Sequence, residues 1–136
     1  MGTEYNCAGG ATPWGSWLSC EECFTDPGTT FEMNTVVKRE QRHGYIFEVS
    51  ANNPKSSKPI PLKEMGRFEH EAAAVDPVSG AIYLTEDKHR SLLYRFIPNT
   101  LGKLIDGGKL QALSVSKKPT FDTRNWQTTS MNEDEW

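Results

Sequence analysis

The sequence of 136 residues is 36% hydrophobic and 24% charged, which suits one ordinary domain with a modest core. It has neither a run of about 18 apolar residues nor a basic segment leading into an apolar one, so it contains no membrane span and no signal peptide. Its 18 acidic and 15 basic residues are spread along the chain for a net charge of -3, which argues against nucleic acid as a partner and favours cations.

The first half of the chain predicts short strands joined by polar turns. Residues 14–22, WGSWLSCEE, predict a strand that carries two adjacent carboxylates at its end. Residues 23–38 contain an Asp-Pro-Gly turn signal and a run rich in Thr and Val, which predicts a loop or an irregular strand. Residues 45–50, YIFEVS, alternate in the way typical of a strand. A solvated turn is predicted for the basic cluster Lys38, Arg39, Arg42 and His43.

The second half predicts hairpins. Residues 51–61 are rich in Asn, Pro, Ser and Lys and predict a loop. Periodicity leaves residues 68–75, FEHEAAAV, ambiguous between helix and strand, but a tight turn at residues 76–80 leads directly into the β-rich residues 81–85. A hairpin is therefore favoured. Residues 92–97 and 110–114 predict further strands, and the polar residues 117–136 predict loop or disorder.

Two parts of the chain resemble each other. GSWLSCEE followed by GYIFEVS matches AIYLTED followed by LLYRFIP, and the pairs Cys7/Glu22 and Glu71/Glu86 share a spacing of 15 residues. Repeated antiparallel units predict an all-β fold, a fragment of about two blades of a β-propeller. The blade units are expected at residues 6–50 and 68–115, with a polar tail at residues 116–136. The start of the sequence directly before a dense motif also suggests a fragment.

Carboxylates at strand ends form the first candidate site. Adjacent carboxylates repel each other unless a cation neutralises them, and Ca²⁺ takes about six to eight oxygen ligands, which several converging strand ends can supply. The alternative is that each pair is a solvated strand end, but occurrence at equivalent positions of the repeat favours a cation site. The candidates are Glu21, Glu22, Glu71, Glu86 and Asp87.

The three cysteines offer a second kind of ligand. Cys7 is followed by Gly9 and Gly10, where backbone can approach closely, and its thiolate could bind a transition metal. The alternative for Cys7 is an inert buried side chain. Cys20 and Cys23 form a C-x-x-C without the second pair of a zinc ribbon, and the two acids between them disfavour a redox role. A structural role is therefore favoured, and the odd cysteine count indicates no disulfide framework.

The histidines and tryptophans carry weaker signals. His70 lies beside a carboxylate of the candidate site and is expected to hydrogen-bond it. His43 and His89 are expected in surface turns. Trp14 and Trp17 are expected to pack in the core or between blades, with an aromatic wall for a sugar or aryl ligand as the alternative.

Longer motifs occur in three stretches, NCAGGATPWGSWLSCEE, HGYIFEV and MGRFEHEAAAVDPVSGAIYLTEDKHRSLLYRFIPN. They closely resemble the PhoX family of bacterial alkaline phosphatases, over residues 6–115. The resemblance implies a six-bladed β-propeller in the full-length protein, with export to the periplasm or outside the cell. It also implies phosphomonoester hydrolysis at a cluster of iron and calcium ions, Fe³⁺ and Ca²⁺. The family's enzymes are several times longer, so it implies an incomplete site here.

The resemblance further implies individual metal ligands. It assigns Cys7 to iron through the N-C-x-G-G motif. It assigns Glu22 through the C-E-E motif and Glu71 through the R-F-x-H-E motif. The further ligands that it implies are Glu86, Asp87 and Glu21.

Two functions follow as hypotheses. The first is a fragment of a metal-dependent phosphomonoesterase, inactive in isolation, whose parent protein acts on a small-molecule phosphomonoester in the periplasm or outside the cell. The second is a non-catalytic β-propeller module that binds calcium or another ligand through the same acidic end. Open sheet edges predict self-association of the fragment, and neither nucleic acid nor a membrane is an expected partner.

Overall fold

The computed structural model of the chain describes residues 2–52 and 58–122. These residues form antiparallel sheets and two single-turn 3₁₀ helices, Lys63–Met65 and Leu104–Asp106. Neither described helix has the length and apolar character needed to cross a membrane. The all-β prediction is confirmed. The strands of the described residues are β1 (Gly10–Ala11), β2 (Ser16–Cys20), β3 (Gly28–Glu32), β4 (Thr35–Arg39), β5 (Ile46–Ser50), β6 (His70–Val75), β7 (Ile82–Glu86), β8 (Leu93–Pro98) and β9 (Gly108–Ala112).

Two of the sheets carry most of the fold. The first has the order β1-β2-β5 and the second the order β6-β7-β8-β9. The repeated motifs occupy equivalent places, because β2 pairs antiparallel with β5 as β7 does with β8. Four consecutive antiparallel strands are the arrangement of a propeller blade. The division into blade units at residues 6–50 and 68–115 stays a prediction.

The two sheets share one hydrophobic core. Leu18 of β2, Ile46 of β5, Leu84 of β7 and Phe96 of β8 are completely buried and belong to a single cluster. Apolar residues at alternate strand positions face this cluster, which is the pattern expected of a sheet with one buried face. Burial of these side chains stabilises the contact between the sheets.

Two adjacent glycines let the sheets approach closely. A parallel bridge joins Gly9 to Ala72 at the start of β6. A Cβ on Gly10 would collide with the carbonyl oxygen of Ala73, and one on Gly9 with that of Leu18. Gly9 also has a φ of 72°, which favours glycine. The start of β1 therefore lies beside the start of β6.

A regular hairpin occupies residues 28–39, where the sequence predicted a loop or an irregular strand. β3 and β4 pair along their whole length and form a separate two-stranded sheet. Met33 and Asn34 connect them with φ values of 46° and 61°. Positive φ at both central residues is typical of a type I′ turn, which suits the twist of paired strands.

The predicted solvated turn is wrong for two residues of the basic cluster. Arg39 is the last residue of β4 and is only 7% exposed. Its guanidinium contacts two carboxylates, and the side chain of His43, 14% exposed, contacts a third. Their charged partners explain why they are tolerated away from water. Lys38 and Arg42 are exposed as predicted, but Lys38 lies in β4 and not in a turn.

The other predicted strands are confirmed within two residues at each end, as β2 and β5 to β9. Trp14 packs against the core, whereas Trp17 is 46% exposed and lies outside it. His89 is exposed, as predicted. Parts of the predicted loop and tail, residues 53–57 and 123–136, lie outside the described residues.

Candidate metal centre

Three strand ends meet where the two sheets adjoin. Cys7 lies just before β1, Glu22 just after β2, and Glu71 is the second residue of β6. The N–H of Cys7 donates to the carbonyl of Cys20 at 2.9 Å, and the N–H of Gly9 donates to the carbonyl of Glu71 at 3.2 Å. Backbone pairing therefore fixes the three candidate ligands relative to one another.

The side chains of these residues converge. The Cys7 Sγ and one carboxylate oxygen each from Glu22 and Glu71 lie within 4.8 Å of one another, and each residue is partly buried. The thiol of Cys7 donates to Oε1 of Glu71 at 3.3 Å. The hydrogen bonds with Glu71 and then Glu22, together with desolvation, raise the pKa of the Cys7 thiol to about 11. In the absence of a cation the thiol therefore keeps its proton at neutral pH.

The donor chemistry decides which cation suits this cluster. Thiolate is a ligand for transition metals, whereas Ca²⁺ takes oxygen ligands only. A first-row ion such as zinc binds sulfur and oxygen at about 2.0–2.3 Å, so its ligand atoms lie about 3–4 Å apart. The contact of 3.3 Å between Cys7 and Glu71 is in that range. A bound cation would favour the thiolate form of Cys7 over the thiol. The three residues therefore fit a transition metal.

Glu21 is directed away from this cluster. Its carboxylate is completely buried. It accepts hydrogen bonds from the N–H groups of Glu4 at 2.9 Å, Gly44 at 2.8 Å and Tyr45 at 3.0 Å. It also contacts Nδ1 of His43 at 2.7 Å. The structure places Glu21 in a hydrogen-bond network of the protein and not among the converging ligand atoms.

Glu86 and Asp87, the other predicted ligands, also lie outside the cluster. Oε2 of Glu86 accepts a hydrogen bond from the Tyr94 hydroxyl at 3.1 Å and one from the N–H of Leu92 at 3.4 Å. Asp87 is exposed, and its N–H donates to the carbonyl of Glu69 at 3.0 Å. Glu86, a candidate ligand from the sequence, is therefore not among the converging ligand atoms, and Tyr94 hydrogen-bonds its carboxylate instead.

Cys20 and Cys23 are buried and neither forms a disulfide. Burial is the main cause that raises the pKa of each thiol to about 12. Sγ of Cys23 lies 3.7 Å from the carbonyl of Glu4. Both thiols are thus neutral and inaccessible, which agrees with the structural role predicted for the C-x-x-C.

His70 is completely buried and does not contact the carboxylates as predicted. Its Nε2 lies 3.3 Å from the carbonyl of Gly66, and Nδ1 has no partner among the described residues. The ring packs on Phe68 with 3.6 Å between centroids. Burial lowers the pKa of His70 to about 4, so the imidazole is neutral at physiological pH.

Sequence reasoning missed a partly buried ion-pair network that involves Glu4, three residues before Cys7. Nε of Arg39 donates to Glu4 at 2.7 Å, and Nη1 donates to Glu32 at 2.6 Å. Arg39 and then Thr30 lower the pKa of Glu32 to about 2. The signal that could have revealed it is the alternation of residues 35–39, which places Arg39 on the same face of the hairpin as the half-buried Val37.

The chain is similar to known proteins in sequence and in fold. A model of the family described as alkaline phosphatase PhoX matches residues 1–135. The chain belongs to the PhoX family. The chain is also similar to the solved structure of Pseudomonas fluorescens PhoX in complex with vanadate, a transition state analogue, with a TM-score of 0.62 and 24% identity. The sequence-based resemblance to PhoX and the fold of a partial β-propeller are thereby confirmed.

The similarity to the P. fluorescens PhoX covers 85% of this chain and 27% of that one. The chain thus spans about a quarter of the length of that relative. A search of the curated proteins found no match. PhoX proteins are alkaline phosphatases, so the converging thiol and carboxylates lie in a chain of a hydrolase family.

Proposed function

We propose that this chain supplies part of the active site of a metal-dependent phosphomonoesterase of the PhoX type. Cys7, Glu22 and Glu71 are the proposed ligands of a transition metal, with iron as Fe³⁺ the proposed ion. The observation that carries the proposal is the convergence of their three ligand atoms within 4.8 Å. Membership of an alkaline phosphatase family supports the reaction class.

The proposed chemistry needs a fixed positive charge beside the phosphate. A bound transition metal would supply it by stabilising negative charge on the phosphoryl oxygens. Cys7 would hold the cation as the thiolate, with its proton released to water. Glu22 and Glu71 balance the charge and, through their backbone hydrogen bonds, hold the ligand set at the junction of the sheets. Positioning and electrostatics supply most of the catalysis in phosphoryl transfer.

Calcium is proposed as a second cofactor, bound outside the thiol cluster. Glu86 and Asp87 at the end of β7 are the proposed contributions from this chain. Ca²⁺ takes about six to eight oxygen ligands, so further ligands must come from elsewhere. Glu21 is not proposed, because three backbone N–H groups and His43 already contact its carboxylate.

We infer a small-molecule phosphomonoester as the substrate and a periplasmic or secreted location. PhoX family members are secreted or periplasmic enzymes, which supports the location. The P. fluorescens relative is described in complex with vanadate as a transition state analogue, which supports phosphoryl transfer as the reaction class. The alternative function is a calcium- or ligand-binding propeller without turnover.

Hydrolysis of p-nitrophenyl phosphate tests the proposed function. The assay should use the longest protein that contains this sequence, metal-replete and then treated with a chelator. We expect chelation to abolish turnover, and Cys7→Ser or Glu71→Gln to reduce it by at least about 100-fold, because loss of even an indirect metal contact costs 10- to 100-fold. Arg42→Gln, at an exposed arginine, is the matched control.

Absence of turnover in the metal-replete protein would remove the phosphatase proposal and leave the binding module. The same assay on the 136-residue chain alone is expected to show no chelator-sensitive turnover, because this chain corresponds to 27% of the P. fluorescens PhoX.

A further inference from the structure

Glu21 fixes the direction of its neighbour Glu22. Consecutive side chains on extended backbone point to opposite sides, so a carboxylate locked on one side determines where the next one points. Glu21 is locked by the N–H groups of Gly44 and Tyr45 and by contact with His43. Glu22 is therefore directed to the opposite side, where it meets Cys7.

Glu4 connects Glu21 to the segment that carries Cys7. The N–H of Glu4 donates to Oε1 of Glu21 at 2.9 Å. One residue later, the carbonyl of Tyr5 accepts the N–H of Glu22 at 2.9 Å. Residues 4–7 thus lie along the end of β2, and a shift of Glu4 along this ladder would move Cys7 relative to Glu22.

Arg39 holds the side chain of Glu4 in place. Its Nε lies 2.7 and 2.8 Å from the two oxygens of Glu4, and Nη2 contacts the same carboxylate. Nη1 and Nη2 donate to Glu32 at 2.6 and 2.8 Å, and Nη1 also donates to Thr30 at 2.8 Å. All three guanidinium nitrogens are therefore occupied, a fork geometry that lysine cannot reproduce. The hairpin of β3 and β4 is tied to residues 4–7 mainly through this side chain, with one further contact at 3.4 Å from the Tyr5 hydroxyl to Glu32.

We propose that Arg39, Glu4 and Glu21 are positioning residues that hold the thiol of Cys7 and the carboxylate of Glu22 at the separation a shared metal ion requires. The inference rests on the proposed metal site, but it concerns the metal-free protein and can be tested there. Moving charged groups out of water is costly, and proteins in which apolar residues replace a buried ion pair are often equally stable. Stability alone therefore does not account for this network, whereas positioning Cys7 and Glu22 does.

Alkylation of the metal-free 136-residue chain by iodoacetamide tests this inference. Cys7 is half-buried and engaged with Glu71, whereas Cys20 and Cys23 are buried. In Arg39→Gln we expect Cys7 to be displaced from its carboxylate partners and alkylated on the order of tenfold faster, because its sulfur becomes more accessible to the reagent. Mass spectrometry separates this result from unfolding, since displacement gives faster modification at one cysteine and unfolding at all three.

Two further variants keep the inference falsifiable. Arg39→Lys preserves the charge and is expected to fold. Because the lysine ammonium cannot contact Glu4 and Glu32 in the way the guanidinium does, this variant should also accelerate alkylation of Cys7. Arg42→Gln should react at the wild-type rate, because the side chain of Arg42 is 67% exposed and pairs with Asp26. Wild-type alkylation of a folded Arg39→Gln or Arg39→Lys chain would overturn the inference.

Binding of Co²⁺, measured by isothermal titration calorimetry so that variants without the thiol can be compared, gives a second readout. Arg39→Lys should weaken Co²⁺ binding by about 10- to 100-fold, the usual effect of losing a group that orients a metal ligand. In a Cys7→Ser background the same substitution should change Co²⁺ affinity by less than about twofold, because the ligand that Arg39 positions is gone. An equal loss in both backgrounds would overturn the inference. If the wild-type chain binds no Co²⁺, the proposed metal site fails, while the alkylation result still decides the positioning role.

Discussion

Glu21 and Glu22 are adjacent in sequence but have opposite environments. Glu21 is completely buried and held by backbone N–H groups, whereas Glu22 is half-buried beside the thiol of Cys7. The sequence identifies the pair as unusual, but the assignment of each residue depends on which side of the extended chain faces the loop before β5. That information is tertiary, and motif spacing alone cannot supply it.

Arg39 also shows that the sequence does not reveal tertiary contacts. Its sequence context, next to further basic residues, predicts solvation, yet it is buried and paired with Glu32 of the same hairpin and with the distant Glu4. One of them, Glu4, precedes every motif that indicated a site. The alternation of residues 35–39 can indicate that Arg39 lies on a half-buried face, but it cannot identify a partner 35 positions away.

The ion pair of Glu32 with Arg39 predicts a specific acid sensitivity. Arg39, followed by Thr30, lowers the pKa of Glu32 from 4.5 to about 2. Between about pH 4.5 and pH 2 the unfolded chain therefore binds more protons at Glu32 than the folded chain does. The stability that the ionised carboxylate contributes is present above this pH range and is lost as the pH falls through it. Urea unfolding should show a steeper loss of unfolding free energy over this range in the wild type than in Glu32→Gln.

Glu40→Gln is the control for this measurement, because Glu40 is exposed and has no ion pair among the described residues. It should retain the wild-type acid profile. Identical profiles for Glu32→Gln and the wild type would contradict the assigned role of the ion pair.

At the level of elements, the contact between β1 and β6 brings the candidate ligands together. The Gly-Gly pair in the sequence predicted close backbone approach, and the structure shows the reason at Gly10, where a side chain would collide with Ala73. The strands that follow strict alternation were predicted correctly. The hairpin of β3 and β4 was not, because its turn uses Met33 and Asn34 in left-handed conformations instead of the Asn-Gly or Asp-Gly pair that signals such a turn.

Gly10→Ala is expected to separate β1 from β6. Overpacking at a tight contact costs about 1–3 kcal/mol, so the free energy of unfolding measured with urea should fall by that amount. Gly28→Ala is the matched control, because a Cβ at Gly28 would have nothing within 4 Å and should change stability by no more than about 0.5 kcal/mol. Equal effects of the two substitutions would show that β1 and β6 do not meet as described.

At the scale of the whole chain, the candidate site spans two sheets. The sequence repeat predicted that equivalent strand ends would contribute to one site, and Cys7 and Glu22 of the first sheet do meet Glu71 of the second. The repeat also predicted Glu86 in the cluster. The structure differs there, because Tyr94 of β8 hydrogen-bonds this carboxylate. The sequence predicted that the candidate ligands lie at strand ends, but it could not predict which group each of their side chains contacts.

The outer edge of β9 predicts self-association of the isolated chain. β9 is the last strand of its sheet, and among the described residues only β8 pairs with it as a strand, although Glu64 accepts the outward N–H of Gly108 at 2.8 Å. The N–H of Leu113 bonds to β8, so the alternation of an antiparallel ladder directs the N–H of Ala112 outward. Light scattering should show an average mass that rises with concentration, because an exposed edge can pair with another chain.

Ala112→Pro removes that outward donor and should reduce the association. Leu113→Pro is not a suitable comparison, because it would break the bond to β8. A strict monomer at high concentration, or association unaffected by Ala112→Pro, would contradict pairing through this edge.

X-ray absorption at the zinc edge tests the central claim most directly, that Cys7, Glu22 and Glu71 bind one transition metal ion together. The 136-residue chain would be loaded with one equivalent of Zn²⁺, and the spectrum compared with that of Cys7→Ser. We predict one sulfur at about 2.3 Å with oxygen ligands at about 2.0–2.2 Å, and loss of the sulfur in the variant. A shell of oxygen and nitrogen alone in the wild type, or a sulfur that persists in Cys7→Ser, would contradict the proposed site.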